Sequence, residues 1–158
     1  MQEKFRNLPL RNGVGIVLIN KHNKVFVAKR IDNPKNFWQM PQGGVDDGED
    51  LLTAAYRELK EETSISNVKL IKEIENTLTY ELPENLLGII WKGKYKGQKQ
   101  KWYLMRYLGE DKDINVKTTK PEFFEWKWVD IDEITEIVVD FKLNVYKELK
   151  EKVKKIIS

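Results

Sequence analysis

A chain of 158 residues with 41% hydrophobic and 34% charged side chains is long enough for one domain with a real core and short for two, so a single domain over residues 1–158 is expected, its core at about 11–150. The absence of cysteine excludes a disulfide framework and a thiolate metal site. No run approaches the ~18 apolar residues of a membrane span, and MQEKFRNLPLRNG lacks a signal-peptide core, so a soluble cytoplasmic protein with no membrane partner is expected. The net charge of +3 conceals seven acidic residues between Asp46 and Glu62; the rest of the chain is basic, which suits a polyanionic ligand.

In chain order, the apolar run Gly13–Asn20, the turn Lys21–Lys24 and the run Val25–Lys29 predict a β-hairpin. The only histidine, His22, falls in that turn and reads as a solvated loop residue without a catalytic role. Residues 31–36, with Pro34, form a loop that delivers Phe37, Trp38, Met40 and Pro41 to the glycine pair Gly43 and Gly44, where a ligand can approach the backbone closely. An acidic turn, Asp46–Asp50, leads into a helix over Asp50–Thr63 with Leu51, Leu52, Ala55 and Leu59 on its apolar side. Val68–Glu75 and Thr77–Leu82 are predicted strands, 83–97 a loop, Lys101–Leu108 and Glu122–Val129 further strands. Phe141, Val145, Leu149 and Val153 recur every fourth residue in a terminal helix over Phe141–Ile157. This order predicts an α/β (α+β) protein, helices packed on a mixed sheet.

The chemistry concentrates in GGVDDGEDLLTAAYRELKEETSI, residues 43–65. On a helix Glu58, Glu61 and Glu62 stand at i, i+3 and i+4, so three carboxylates share one face within about 6 Å of one another. Their repulsion is relieved by hard divalent cations that prefer oxygen, Mg²⁺ above all, with Mn²⁺ or another divalent ion able to substitute. Arg57 cannot bind a metal; its planar fork suits holding neighbouring carboxylates such as Glu49 or Glu61. A solvated, charged helix face is the ordinary reading of RELKEE alone. The spacing decides against it: Gly43, five residues, Glu49, seven residues, then Arg-Glu-Leu-x-Glu-Glu and, two residues on, Ile65 coincide by chance at on the order of 10⁻⁷ per start position. A second stretch, residues 91–103, interleaves five lysines with Trp91, Tyr95, Trp102 and Tyr103. It fits a phosphate- or nucleic-acid-binding surface and equally an edge strand guarded by lysines.

The 43–65 pattern resembles the Nudix box, with Ser64 in place of the usual second glycine; a serine in that left-handed position should cost on the order of 1 kcal/mol and puts the helix end in question. Together with FWQMPQGGVDDGE, the 97–104 and 121–129 stretches and VVDFKLNVY, nearly the whole chain is similar to the bacterial RNA pyrophosphohydrolases, a group overlapping the diadenosine polyphosphate hydrolases. The resemblance implies a Nudix fold, a mixed sheet between helices in an α/β/α sandwich. It implies hydrolysis of the 5′-triphosphate or diphosphate end of RNA, an early step of mRNA decay. Mg²⁺ would be held by Glu58, Glu61, Glu62 and Glu122 with the Gly43 carbonyl; Arg57 would complete the catalytic set. Arg11, Arg30, Gln42, Lys99 and Lys101 would lie near the phosphates or the RNA end, and Phe141 and Lys142 at a nucleobase pocket, with Asp140 a departure from the pattern there. Glu61, Glu62 and Glu122 all qualify as the base that takes the proton of the attacking water. A dinucleoside polyphosphate as substrate, and a catalytically silent binding module, are the competing readings. A monomer is expected.

Overall fold

The computed structural model describes residues 3–32 and 35–158; Asn33 and Pro34 of the expected 31–36 loop lie outside the described residues. The elements run α1 (Glu3–Arg6), β1 (Leu10–Ile19), β2 (Val25–Arg30), β3 (Gln42–Gly44), α2 (Leu51–Thr63), β4 (Val68–Glu73), β5 (Leu78–Glu81), β6 (Gly97–Tyr107), β7 (Phe123–Val129), α3 (Ile134–Ile137) and α4 (Leu143–Ile157). Strands β4, β6, β1, β2 and β7 lie side by side in that order, with β5 paired to the start of β6 and β3 to the start of β1. β1 runs parallel to β6 and antiparallel to β2, which makes the sheet mixed as expected.

β1 lies inside the sheet, and its apolar run is covered on both faces. Val17 and Ile19 join Val27, Trp102 and Leu104 beneath Val145, Leu149 and Val153 of α4. Val14, Ile16 and Leu18 join Phe26, Tyr103 and Met105 beneath Ala54, Ala55 and Leu59 of α2. The sheet is thus sandwiched between the two amphipathic helices. Each fully buried side chain such as Leu149 contributes roughly 1.5–3 kcal/mol.

The hairpin forms, and then opens. Ile19 pairs with Val25, and the Asn20 side-chain oxygen accepts from the His22 and Lys24 amides at 2.9 and 3.0 Å, which closes the turn. Below that point the segment 39–44 wedges between β1 and β2. Gln39 exchanges both backbone bonds with Ala28, the Pro41 carbonyl accepts from the Ile16 amide at 3.0 Å, and Gln42, Gly43 and Gly44 pair with Gly15, Val14 and Gly13. The sheet is split where the glycine pair enters, and the split is the mouth of the site.

Three boundaries differ from expectation. β6 begins at Gly97, because the polar Gln98 and Gln100 are fully buried side by side: the Gln100 amide donates to Gln98 at 3.3 Å and the Trp102 indole to Gln100 at 3.1 Å. A short α3, preceded by a capping box between Asp130 and Glu133, occupies a stretch without strong periodicity. Phe141 and Lys142 belong to a 3₁₀ turn ahead of α4. The doubt over Ser64 is also resolved. Ser64 adopts φ 67° and caps α2 as a glycine would, its amide donating to the Lys60 carbonyl and its hydroxyl to the Asn115 carbonyl at 2.8 Å, which offsets the strain.

Candidate active site

α2 begins with Asp50, whose carboxylate accepts from the Thr53 amide, and carries its acidic face to the split in the sheet. Arg57 organises that face. Its Nε and Nη2 grip Glu49 bidentately at 2.8 Å each, Nη2 also donates to the Gly44 carbonyl at 3.0 Å, and Nη1 donates to Glu58 at 3.0 Å and Glu61 at 3.2 Å. The Arg57 fork and then the Asp46 amide, which donates to Glu49 at 3.0 Å, pull Glu49 down to about 2, and Arg57 in turn is raised. One guanidinium therefore ties the helix to the glycine strand and aims two candidate ligands; the bonds to Glu49 and Glu61 are those the sequence led us to expect.

Gly43 faces α2. A Cβ there would overlap the Glu58 carboxyl group, so only glycine allows the helix acid and the strand backbone so close together. Glu58 is nearly buried, and burial raises its carboxyl against the pull of Arg57. Glu62 is 2% exposed, and neither of its carboxylate oxygens has a hydrogen-bond partner. Burial raises it well above the usual range, and the facing charges of Glu122 and Glu58 raise it further. Glu122 comes to this point because its carbonyl accepts from the Ile31 amide at 2.8 Å, at the end of β2. Glu61 is the outward member, its side chain 58% exposed.

Among the described residues, no three acidic or histidine side chains enclose an ion as they stand; Arg57 holds Glu61 to itself. The residues nonetheless fit a divalent cation. A buried carboxylate with no donor is costly, the site supplies only hard oxygens, and a cation bound through oxygen relieves the Glu62 repulsion directly.

On the opposite face of the sheet, the α4 side, stand Arg11, Gln42, Tyr80, Phe141 and Lys142. Gln42 donates to the Tyr80 hydroxyl at 3.3 Å, and Tyr80 packs on Phe141 at 5.6 Å between ring centroids. The Lys142 ammonium donates to Gln39 at 3.1 Å and lies 5.5 Å from the Tyr80 ring. Full burial, then the nearby Arg30 charge, lowers Lys142 to about 7. Arg30, expected near the phosphates, forks onto Asp32 with two bonds of 2.8 Å.

Lys99 and Lys101 do not join Arg11 and Gln42. Strand alternation turns them to the α2 face, where Lys99 is exposed and Lys101 pairs with Glu73 at 3.6 Å. Their neighbours Gln98 and Gln100 face the Arg11 side instead, beneath Gly13, where a Cβ would strike Gln98. Sequence reasoning missed Gln39, Tyr80, Gln98 and Gln100. Alternation along a strand begun at Gly97 identifies the two glutamines; no spacing marks Gln39 or Tyr80.

A carboxylate cluster between a helix and a glycine strand on a helix–sheet–helix sandwich defines a class, and the chain belongs to the Nudix family, whose domain model matches residues 9–149. Members of this family generally use divalent metal cations. The chain is 71% identical, over all 158 residues and the whole of its counterpart, to an RNA pyrophosphohydrolase of Pelagibacter ubique. It is 51% identical to an RNA pyrophosphohydrolase of Rhodospirillum rubrum, over 90% of this chain and 86% of that one. Among solved structures, the E. coli dihydroneopterin triphosphate pyrophosphohydrolase superposes with a TM-score of 0.72 at 21% identity, covering 92% of this chain and 99% of that one, a likeness of fold.

Proposed function

We propose that the protein hydrolyses the phosphoanhydride at the 5′-triphosphate or diphosphate end of RNA, leaving a 5′-monophosphate and releasing pyrophosphate or orthophosphate. The observation that carries the reading is the buried Glu62 carboxylate without a donor, facing Glu58 and Glu122 beside Gly43. The likeness to RNA pyrophosphohydrolases at 71% and 51% identity supports RNA as the substrate.

Mg²⁺ would be held by Glu58, Glu61, Glu62 and Glu122 with the Gly43 carbonyl. When bound it supplies charge withdrawal from the phosphate oxygens and acidifies the attacking water. The chain does the rest. Arg57 fixes Glu58 and Glu61 in place through Nη1. Arg11, Gln42 and Lys142 line the side where the remaining phosphates and the first base lie, and Phe141, backed by Tyr80, offers a flat surface to that base. The proton of the water passes to a carboxylate of the same cluster. The mRNA that such an enzyme prepares for decay places it in the cytoplasm, and among the described residues no helix is long and apolar enough to cross a membrane.

The Phe141–Tyr80 pair beside Lys142 also favours a second substrate, a dinucleoside polyphosphate, whose adenine would stack in the same place. The test compares kcat/KM for short triphosphorylated RNA, diphosphorylated RNA and diadenosine tetraphosphate with Mg²⁺. RNA preferred by tenfold or more supports the proposal. Preference for the dinucleotide replaces it with the second reading, and binding without turnover of any of the three replaces both with a binding module.

A further inference from the structure

Three arginines border the site, and the structure treats them differently. Arg57 is tied to three glutamates and Arg30 to Asp32. Arg11 makes no carboxylate pair among the described residues; its guanidinium carbon lies 5.4 Å from the centre of the Trp91 ring. Gly44 also lies against it, for a Cβ there would overlap the guanidinium. Arg11 therefore packs against an indole and a bare stretch of backbone, and among the described residues no acid occupies its N–H donors.

Trp91 reaches that place through an unusual backbone. Trp91 (φ 54°, ψ 35°) and Lys92 (φ 57°, ψ 27°) both adopt the left-handed conformation ahead of Gly93 at φ 70°. Bulky residues avoid this region, and two in succession persist only where the surroundings compel them. The turn brings the indole back over β1, and Tyr95 braces it edge-on at 6.2 Å.

We infer that Trp91 is a positioning residue, fixing the Arg11 guanidinium by a cation–π contact so that its N–H fork is presented to the terminal phosphates of the substrate. The inference rests on the function proposed above. An aromatic face orients a guanidinium without consuming its in-plane donors, whereas a carboxylate partner, such as Asp32 for Arg30, competes with phosphate for the same fork. The 91–103 stretch thereby serves the phosphate end of the site through Trp91 rather than through Lys99 or Lys101.

A double-mutant cycle between Trp91→Leu and Arg11→Gln tests this, read both as Kd for inorganic tripolyphosphate by calorimetry and as kcat/KM on triphosphorylated RNA. Trp91→Leu should weaken tripolyphosphate binding and raise KM roughly tenfold, with a smaller change in kcat, and Trp91→Phe should recover most of the loss. In the Arg11→Gln background Trp91→Leu should have almost no further effect. Equal losses in both backgrounds, or a Trp91→Leu protein within about twofold of the parent, overturn the inference. Should Trp91→Leu fail to fold by circular dichroism, Trp91→Met takes its place in the cycle, and additivity there overturns it equally. A parent that leaves RNA untouched yet shows the coupling in tripolyphosphate binding refutes the proposed function while upholding the role of Trp91.

Discussion

Replacing Glu62 with glutamine should stabilise the cation-free protein while abolishing its activity. The carboxylate is 2% exposed with two unpartnered oxygens, so without a cation it must either stay ionised in a water-poor site or hold a proton above its usual range. Glutamine keeps the shape, removes the charge, and offers an amide to the facing acids. Relief of an unsatisfied buried group of this kind amounts to about 2 kcal/mol. At this chain length that raises Tm by roughly 4–8 °C. Because burial raises the folded-state value above the ordinary 4.5, the penalty is absent at low pH and grows as pH rises past about 4.5, so the two melting curves should diverge with pH. Saturating Mg²⁺ should reverse the order: at a hundredfold excess over Kd the parent gains about 2.7 kcal/mol, and the variant little. Calorimetric melts in chelator and in Mg²⁺ at pH 5 and pH 8 make the comparison. Equal Tm for both proteins in chelator at pH 8 would refute the reasoning.

Glu61→Gln should behave differently, since that side chain is 58% exposed and bound to a single Arg57 N–H: turnover on triphosphorylated RNA falls by roughly three orders of magnitude while Tm stays within about 1 °C. Lys142, lowered to about 7 from 10.5 by burial and then Arg30, binds its proton more weakly in the folded chain than in the unfolded one. Its contribution to stability therefore rises with pH between those values, and the Tm of the parent minus that of Lys142→Met should grow between pH 7 and pH 9; parallel curves would contradict the burial of the ammonium.

Where local chemistry settles the structure, the sequence is a sufficient guide. The Glu58, Glu61 and Glu62 spacing, the Arg57 fork on Glu49 and the β1–β2 turn all follow from contacts a few residues apart, and the helix faces of Leu59, Leu149 and Val153 follow from periodicity. The opening of the hairpin does not, because the wedge at 39–44 is decided by what β1 and β2 leave unpaired, a nonlocal matter that no local pattern marks. The family resemblance groups Lys99 and Lys101 with Arg11, whereas strand alternation sends them to the other face and brings forward Gln98 and Gln100, whose polarity disguises the start of β6. Ser64 looked like a defect because its compensating partner, the Asn115 carbonyl, lies 51 residues away. Trp91 carried a composition signal, but its left-handed turn and its ring contact with Arg11 exist only in three dimensions.

Anomalous diffraction from crystals grown with Mn²⁺ tests the central claim most directly. The account predicts a manganese peak bonded to Glu58, Glu61 and Glu62 beside the Gly43 carbonyl, with Glu122 completing the shell. A fully loaded crystal in which the Glu62 oxygens remain bare, with the metal elsewhere on the surface, would contradict it.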